Sequence, residues 1–318
     1  MKEVKDKVAF ITGSGAGMGL GMAKAFSNAG MKIVLADIRR DHLDEAVRWF
    51  RENNRPVHAV QLDVTDRDAY TEAADEAERV FSRIHVLVNN AGLGITGGFL
   101  KTTFADWDWI MGVNLGGVIN GVQIIAPRIV AHGEGGHIVS TASMSGLVAS
   151  RGSIVYNTAK FAVCGFMETL YSDLEPYNVG VSVYLPGAVN TSIYKGEELR
   201  PRQYADSGYT GNAEESAQWR ERMKQLLNDV GMDPVEVGER VLRGIRNNDL
   251  FIFSHTEFRK GIQEKFECLL ASMPDEEPDP VRAQAVAFLT SYPPYVQQRD
   301  KKLKEKTTSA QTKTGTPD

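Results

Sequence analysis

Of the ten tyrosines in this chain of 318 residues, Tyr156 alone has a lysine four positions on, Lys160. The stretch around them has helical spacing, and on a helix residues four apart share a face. A phenol with an ordinary pKa near 10 is a poor base at neutral pH. An adjacent ammonium favours the phenolate, so the pair can serve as an acid/base on an alcohol or carbonyl oxygen. Ser143 stands thirteen residues upstream of Tyr156, just past the strand-like run HIVS. Its hydroxyl can hydrogen-bond the same oxygen, polarising a carbonyl or orienting an alcohol for loss of hydride. A Tyr–Lys pair usually only decorates a helix, and hydroxyls such as Thr141, Ser143 and Ser145 often only shape a turn. Their weight comes from occurring together.

A second chemistry is written in VAFITGSGAGMGLG, residues 8–21. A strand-like run leads into glycines 13, 15, 17, 19 and 21 and then into a helix-like segment. A helix N-terminus offers unpaired N–H groups and the positive end of a dipole, and glycine lets backbone approach a pyrophosphate that a Cβ would displace. The string GxGxxG fails from each start, meeting Met18, Leu20 or Met22 where glycine is needed. TGxxxGxG fits once, as Thr12, Gly13, Gly17 and Gly19. Gly13, Gly15, Gly17, Met18 and Gly19 are therefore expected to cradle a dinucleotide. Asp37 ends the next strand-like run, twenty positions beyond Gly17, with Ile38 beside it. A carboxylate there accepts hydrogen bonds from both adenosine ribose hydroxyls and repels a 2′-phosphate, which favours NAD over NADP. Arg39 and Arg40 could accommodate that phosphate, and the alternative for Asp37 is a helix N-cap.

Elements must hold these residues together. Lys7–Thr12, Lys32–Asp37, Val57–Leu62, His85–Asn89, His137–Ser140, Val179–Leu185 and Leu250–Phe253 are strand-like, and the segments between them have helical periodicity. Alternation of this kind predicts an α/β fold, a doubly wound parallel sheet of about seven strands built from right-handed βαβ units. Ligands bind at the C-terminal edge of such a sheet, where Ser143 would emerge. Residues 1–255 form the expected dinucleotide-binding and catalytic domain. Within it, about 191–233 is too long for a plain connection and carries Tyr194, Tyr204, Tyr209 and Trp219, so it reads as a substrate lid, with a solvated helical hairpin as the alternative. Residues 256–298 read as a C-terminal helical extension of two helices, the second closed by Pro293–Pro294, and 299–318 as a disordered tail.

Composition narrows the classes. The formal net charge is −5, with no basic stripe in the body of the chain, which argues against nucleic acid and membrane partners. Trp109–Pro127 lacks charge but contains Asn114, Asn120 and Gln123, as a buried helix would. A charged N-terminus that runs straight into glycines is unlike a signal peptide, so a cytoplasmic protein is expected. Cys164 and Cys268 make no framework, and the six histidines form no metal-ligand spacing, so no metal is expected.

TGSGAGMG at 12–19, Asp37, Asp63–Val64, NNAG at 89–92, Asn114, Ser143, YNTAK at 156–160 and PGAVNT at 186–191 occur in the order found in the short-chain dehydrogenase/reductase (SDR) family, which the chain resembles over residues 5–255. The resemblance implies a Rossmann-like fold and an NAD-dependent oxidoreductase interconverting an alcohol and a ketone. It implies a tetrad of Asn114, Ser143, Tyr156 and Lys160, with Tyr156 as acid/base, Lys160 also holding the nicotinamide ribose, and Asn114 positioning a water that links Lys160 to solvent. Asp63 and Val64 would bracket adenine, Asn90, Ala91 and Gly92 would line the cofactor cleft, and Pro186, Gly187, Val189 and Thr191 would approach the nicotinamide. It further implies a homodimer or homotetramer. More narrowly, KTTFADWDWIMGVNLGGVING at 101–121 and LRPRQYADSGYTGN at 199–212 resemble bacterial lignin aryl-ether Cα-dehydrogenases, which implies a bulky benzylic alcohol held by Ser143, Tyr156 and Tyr194. Other readings are a carbonyl reductase of aliphatic or steroid-like substrates, a sugar-nucleotide epimerase, and a non-catalytic dinucleotide sensor, which would have no need of Ser143, Tyr156 and Lys160 together.

Overall fold

A computed structural model describes residues 1–94, 97–206 and 213–314. Seven strands, β1 (Val8–Thr12), β2 (Lys32–Asp37), β3 (Val57–Gln61), β4 (Val86–Asn89), β5 (Gly136–Thr141), β6 (Val179–Leu185) and β7 (Phe251–Phe253), form one sheet in the order β3-β2-β1-β4-β5-β6-β7. Every pairing is parallel. Strand-like runs read from the sequence fall within a residue or so of these bounds. The chain winds outward from β1 to β3 on one side and from β4 to β7 on the other, so the connections that leave β1 and β4 run to opposite sides and open a crevice beyond the C-terminal ends of these strands.

A parallel sheet is covered on both faces, so its strands need apolar residues at successive positions rather than alternate ones. β1 is buried throughout: Phe10 joins one core and Ile11 the other. The first core takes α3 (Arg67–Phe81), α5 (Gly117–His132) and α6 (Ile154–Leu174). On the opposite face lie α1 (Gly17–Asn28), α2 (Arg40–Glu52) and α8 (Pro234–Asn247). α2 buries Leu43, Ala46 and Phe50, a single stripe at helical spacing. α1 and α8 lie so close that a Cβ on Gly21 would collide with the Pro234 carbonyl. Gly21→Val is therefore expected to overpack this seam and lower stability by about 1–3 kcal/mol, read by chemical denaturation.

α4 (Phe104–Met111) continues through a π-turn, Gly112–Gly116, into α5. Phe104–His132 is long and apolar enough to cross a membrane, yet more than half of its most apolar window is buried inside the fold, as the asparagines imply. Asn120 donates to the Val64 carbonyl at 2.9 Å.

Two compact units are present, Met1–Ile262 and Gln263–Asp318. The first extends seven residues past the expected end at 255 because Phe258 and Ile262 pack against the sheet's core. After α9 (Arg259–Ala271), α10 stops at Ala285 (Pro280–Ala285), and Pro293 opens a helix instead of closing one: α11 runs Pro293–Thr314. Proline suits a first helical position, where no N–H bond is lost. The tail expected to be disordered from residue 299 is thus helical to Thr314. Its lysine-rich composition is also that of an exposed helix, with Lys302 and Glu305 paired at 3.0 Å.

Candidate active site

The crevice between β1 and β4 is held by two polar side chains. Thr12 Oγ1 accepts the N–H groups of Asn90 and Ala91 at 3.0 and 3.1 Å. Asn90 Nδ2 donates to the carbonyls of Thr12 and Gly13, and its Oδ1 accepts the Thr141 hydroxyl at 3.3 Å. The ends of β1, β4 and β5 are thereby fixed around a cavity of about 740 Å³.

At one end lies the glycine turn. Gly13 and Gly17 have φ of +61° and +52°, which other residues rarely adopt. A Cβ on Gly19 would run into the Gly13 carbonyl, so Gly19 supports the turn from behind and does not line the cavity. Gly15 likewise stands off the wall: its N–H donates to Asp37 Oδ2 at 2.9 Å, while Asp37 Oδ1 accepts the Arg39 N–H at 2.9 Å. Asp37 therefore caps no helix through its side chain, since Arg39 is the N-cap of α2. Met18, Asp37, Ile38, Asp63 and Val64 all face the cavity. Asp63 is held by the Thr65 N–H and hydroxyl at 2.9 and 2.8 Å.

Ser143, Tyr156 and Lys160 meet midway along the cavity. Ser143 follows β5 in extended backbone, with its hydroxyl accepting the Ser145 N–H at 3.1 Å and bonded to the Tyr156 phenol. The 3-10 turn Met144–Gly146 lies against α6, where a Cβ on Gly146 would sit 2.7 Å from the Lys160 carbonyl. On α6, Lys160 is 4% exposed, donates to the Thr141 carbonyl at 2.8 Å and stands 5.7 Å from the Tyr156 ring centre. Asn114, buried in the π-turn, gives both ends of its amide to Leu93, accepting the N–H at 2.7 Å and donating to the carbonyl at 2.9 Å. It fixes the chain beside Gly92, whose Cβ would be 3.3 Å from Asn114 Oδ1 and 3.5 Å from Lys160 Nζ. Asn114 itself does not reach the cavity wall.

The electrostatics differ from the sequence expectation in one respect. Burial pushes the Tyr156 phenol above its ordinary value, and the Ser143 hydrogen bond only opposes that rise. The same burial lowers Lys160 to about 8, which weakens the cation expected to draw the phenol down. Because the folded state resists the charged lysine, Lys160 costs stability fully below about pH 8, and the cost fades as pH rises towards 10.5. Lys160→Met is accordingly expected to raise the melting temperature at pH 7 by roughly a few degrees, and by less at pH 10.

Past β6, Pro186, Gly187, Val189 and Thr191 line the wall next to Ser143, the Pro186 carbonyl accepting the Met144 N–H at 2.9 Å. This turn is gripped from behind by His255. Its Nδ1 accepts the Gly187 N–H at 3.0 Å and its Nε2 donates to the Ala188 carbonyl at 2.8 Å. A lone histidine just past β7 gave no sequence signal of that role. The insertion after Thr191 returns to its starting point, because Met232 pairs with Val189 and exchanges hydrogen bonds with Ala188 and Asn190. Its described pieces are two 3-10 turns, Ile193–Leu199 and Arg202–Tyr204, and α7 (Ala213–Val230).

Of its four aromatic residues, Tyr204 lines the cavity; Tyr194 and Trp219 do not, and Tyr209 lies outside the described residues. The expectation for Tyr194 is corrected by helix geometry. With three residues per turn, Ile193, Gly196 and Leu199 share the inward face and Tyr194 turns away with Glu197. The wall is completed by residues unmarked in the sequence, among them Trp109, Leu93, Met144, Leu226 and Phe258.

The pattern of the short chain dehydrogenase family matches residues 7–201. A C alpha-dehydrogenase of Sphingobium sp. strain SYK-6 is 39% identical over 89% of this chain and 92% of its own. Among solved structures, a short chain dehydrogenase/reductase of Burkholderia phymatum in complex with NAD aligns with a TM-score of 0.81 at 31% identity, over 88% of this chain and 99% of that one. The apo form of LigO from the same Sphingobium strain aligns with a TM-score of 0.71 at 37% identity over both full chains.

Proposed function

The chain belongs to the short-chain dehydrogenase family, and on that premise we propose that it is an NAD-dependent dehydrogenase interconverting a bulky benzylic secondary alcohol and its ketone. The observation that carries the reading is the single cavity in which a glycine turn and Asp37 lie at one end, Ser143, Tyr156 and Lys160 in the middle, and Trp109, Leu199, Tyr204 and Leu226 around the remainder. The residues fit a dinucleotide. Gly13 and Gly17 line the cavity in positive-φ backbone, and Asp37, though bonded to Gly15 and Arg39, faces it with acceptor capacity to spare. The Burkholderia relative in complex with NAD supports the cofactor, and the C alpha-dehydrogenase relative supports the substrate class.

NAD, when bound, supplies the hydride acceptor. Tyr156 takes the hydroxyl proton as phenolate during oxidation and returns it during reduction. Ser143, already bonded to the phenol, is placed to hold the substrate oxygen beside it. Lys160, in its charged form, favours the phenolate, and Asn114 keeps the Leu93 backbone in place beside it. His255 positions the Gly187–Ala188 backbone against the cofactor, so His255→Leu is expected to raise KM for NAD several-fold while leaving the KM for alcohol within about twofold.

The decisive measurement is NAD reduction across secondary alcohols. A 1-phenyl-substituted alcohol is expected to exceed an aliphatic alcohol of matched size in kcat/KM by about two- to tenfold, since a ring against Trp109 and Tyr204 gains about 0.5–1.5 kcal/mol beyond the area it buries. Preference for aliphatic or sugar alcohols would overturn the aryl assignment. No hydride transfer with any alcohol or ketone would overturn the enzyme assignment.

A further inference from the structure

Arg200 lies outside the cavity, yet both of its neighbours, Leu199 and Pro201, line it. The side chain is 7% exposed and makes bonds in three directions. Nη2 meets Asp106 Oδ1 at 2.9 Å on α4. Nε and Nη2 bond the two oxygens of Glu197 at 2.7 and 2.8 Å, and Nη1 donates to the Tyr204 carbonyl at 3.0 Å. The guanidinium also sits over the Trp109 indole, 4.3 Å from the ring centre.

Its partner is equally fixed. Asp106 is fully buried, accepts the Thr103 N–H at 2.9 Å and completes a capping box at the start of α4. Thr103 in turn donates its hydroxyl to the Asp206 carbonyl at 2.6 Å, a second tie between the same two segments. Leu199 and Tyr204 pack on the small core formed by Leu93, Trp109, Ile110 and Val155. One cation thus joins a helix and a loop that lie about ninety residues apart in the chain.

We infer that Arg200 is a positioning residue for the substrate half of the cavity: it clamps the segment Ile193–Tyr204 onto α4 and sets Trp109, Leu199 and Tyr204 as one rigid apolar wall. The inference rests on the reading that this half of the cavity receives the alcohol. A planar ring gains most from a wall already in place, because ordering a loop on binding subtracts from affinity. Only a planar fork can bond two carboxylates and a carbonyl while stacking on an indole. A lysine carries the charge without the geometry.

Two variants test this. Arg200→Lys keeps the charge; the double variant Arg200→Gln with Asp106→Asn avoids leaving a buried carboxylate unpaired, which guards against simple unfolding. Both are expected to raise KM for a 1-phenyl-substituted alcohol about tenfold, with kcat within about threefold and NADH affinity within about twofold, since the loss lies in preorganisation and not in the reacting groups. KM for a small aliphatic alcohol should move much less. Hydrogen–deuterium exchange supplies a readout that needs no substrate: amides of Ile193–Tyr204 should exchange about tenfold faster in both variants, with β5 unchanged. Unaltered exchange in this segment would overturn the clamp. Faster exchange with an unaltered aryl KM would overturn its role in substrate binding. If the wild type oxidises no alcohol, the functional reading fails, and the exchange data still decide whether Arg200 clamps the wall.

Discussion

Tyr156→Phe is expected to lower turnover about a hundredfold or more while NADH binding persists. Phenylalanine keeps the ring that packs against Lys160 and removes only the oxygen bonded to Ser143, so the variant isolates the proton-transfer group. The pH dependence gives a second signature. Burial holds the phenol above its ordinary value, so at neutral pH the phenolate is the minor form. Its fraction grows about tenfold for each unit of rising pH below the pKa, and the rate of alcohol oxidation should rise with it. Lys160 limits that gain: above about pH 8 it loses the proton that favours the phenolate, so the rise should flatten there. Ketone reduction needs the phenol and should favour the acid side. The residual activity of Tyr156→Phe should show neither limb. Turnover near the wild-type level, or an unchanged pH profile, would reject Tyr156 as the acid/base.

How much could be read in advance follows from which interactions are local. The inner strands are buried on both faces and appear as apolar runs bounded by turn residues, and the half-buried edge strands β3 and β7 are short runs of the same kind, so all seven are visible in the sequence. The glycine turn and the Tyr156–Lys160 pair are also local, set by positive φ and by one helical turn. Ser143, Asp37 and Asn90 are legible because strand ends in a parallel sheet gather at one edge. The substrate wall is different in kind. Trp109 belongs to it through Arg200, about ninety residues on, and no spacing rule joins them. Tyr194 follows from the resemblance alone, and the rotation of a 3-10 turn carries it outward and brings Ile193 in. Residues 293–314 misled for another reason: a polar, charged composition serves a solvated helix as well as a disordered tail, and the proline pair marked a start where a stop was expected.

Cofactor preference turns on one carboxylate and two arginines, and the structure sharpens what each can do. Asp37 is anchored at the end of β2 by the Gly15 and Arg39 N–H groups, so its position does not depend on a flexible side chain. A ribose diol can donate to its remaining lone pairs, whereas a 2′-phosphate would meet a fixed negative charge. Arg39, which lines the cavity, is turned on Asp41, with Nε donating to Oδ1 at 2.8 Å. Arg40 pairs with Asp44 at 3.1 Å and does not line the cavity. These pairs are exposed and individually weak, so they bias Arg39 without locking it. The wild type is therefore expected to prefer NAD over NADP by at least about tenfold in kcat/KM. Asp37→Ala should cost NAD roughly ten- to a hundredfold, the worth of hydrogen bonds to a charged group, and should bring the two cofactors close to parity. Adding Asp41→Asn frees Arg39 for the phosphate and should tip the balance towards NADP, an effect that shrinks as salt is raised. Equal use of both cofactors by the wild type would show that Asp37 does not discriminate. A loss with NAD that Asp41→Asn leaves without any gain for NADP would show that Arg39 is not the phosphate's partner.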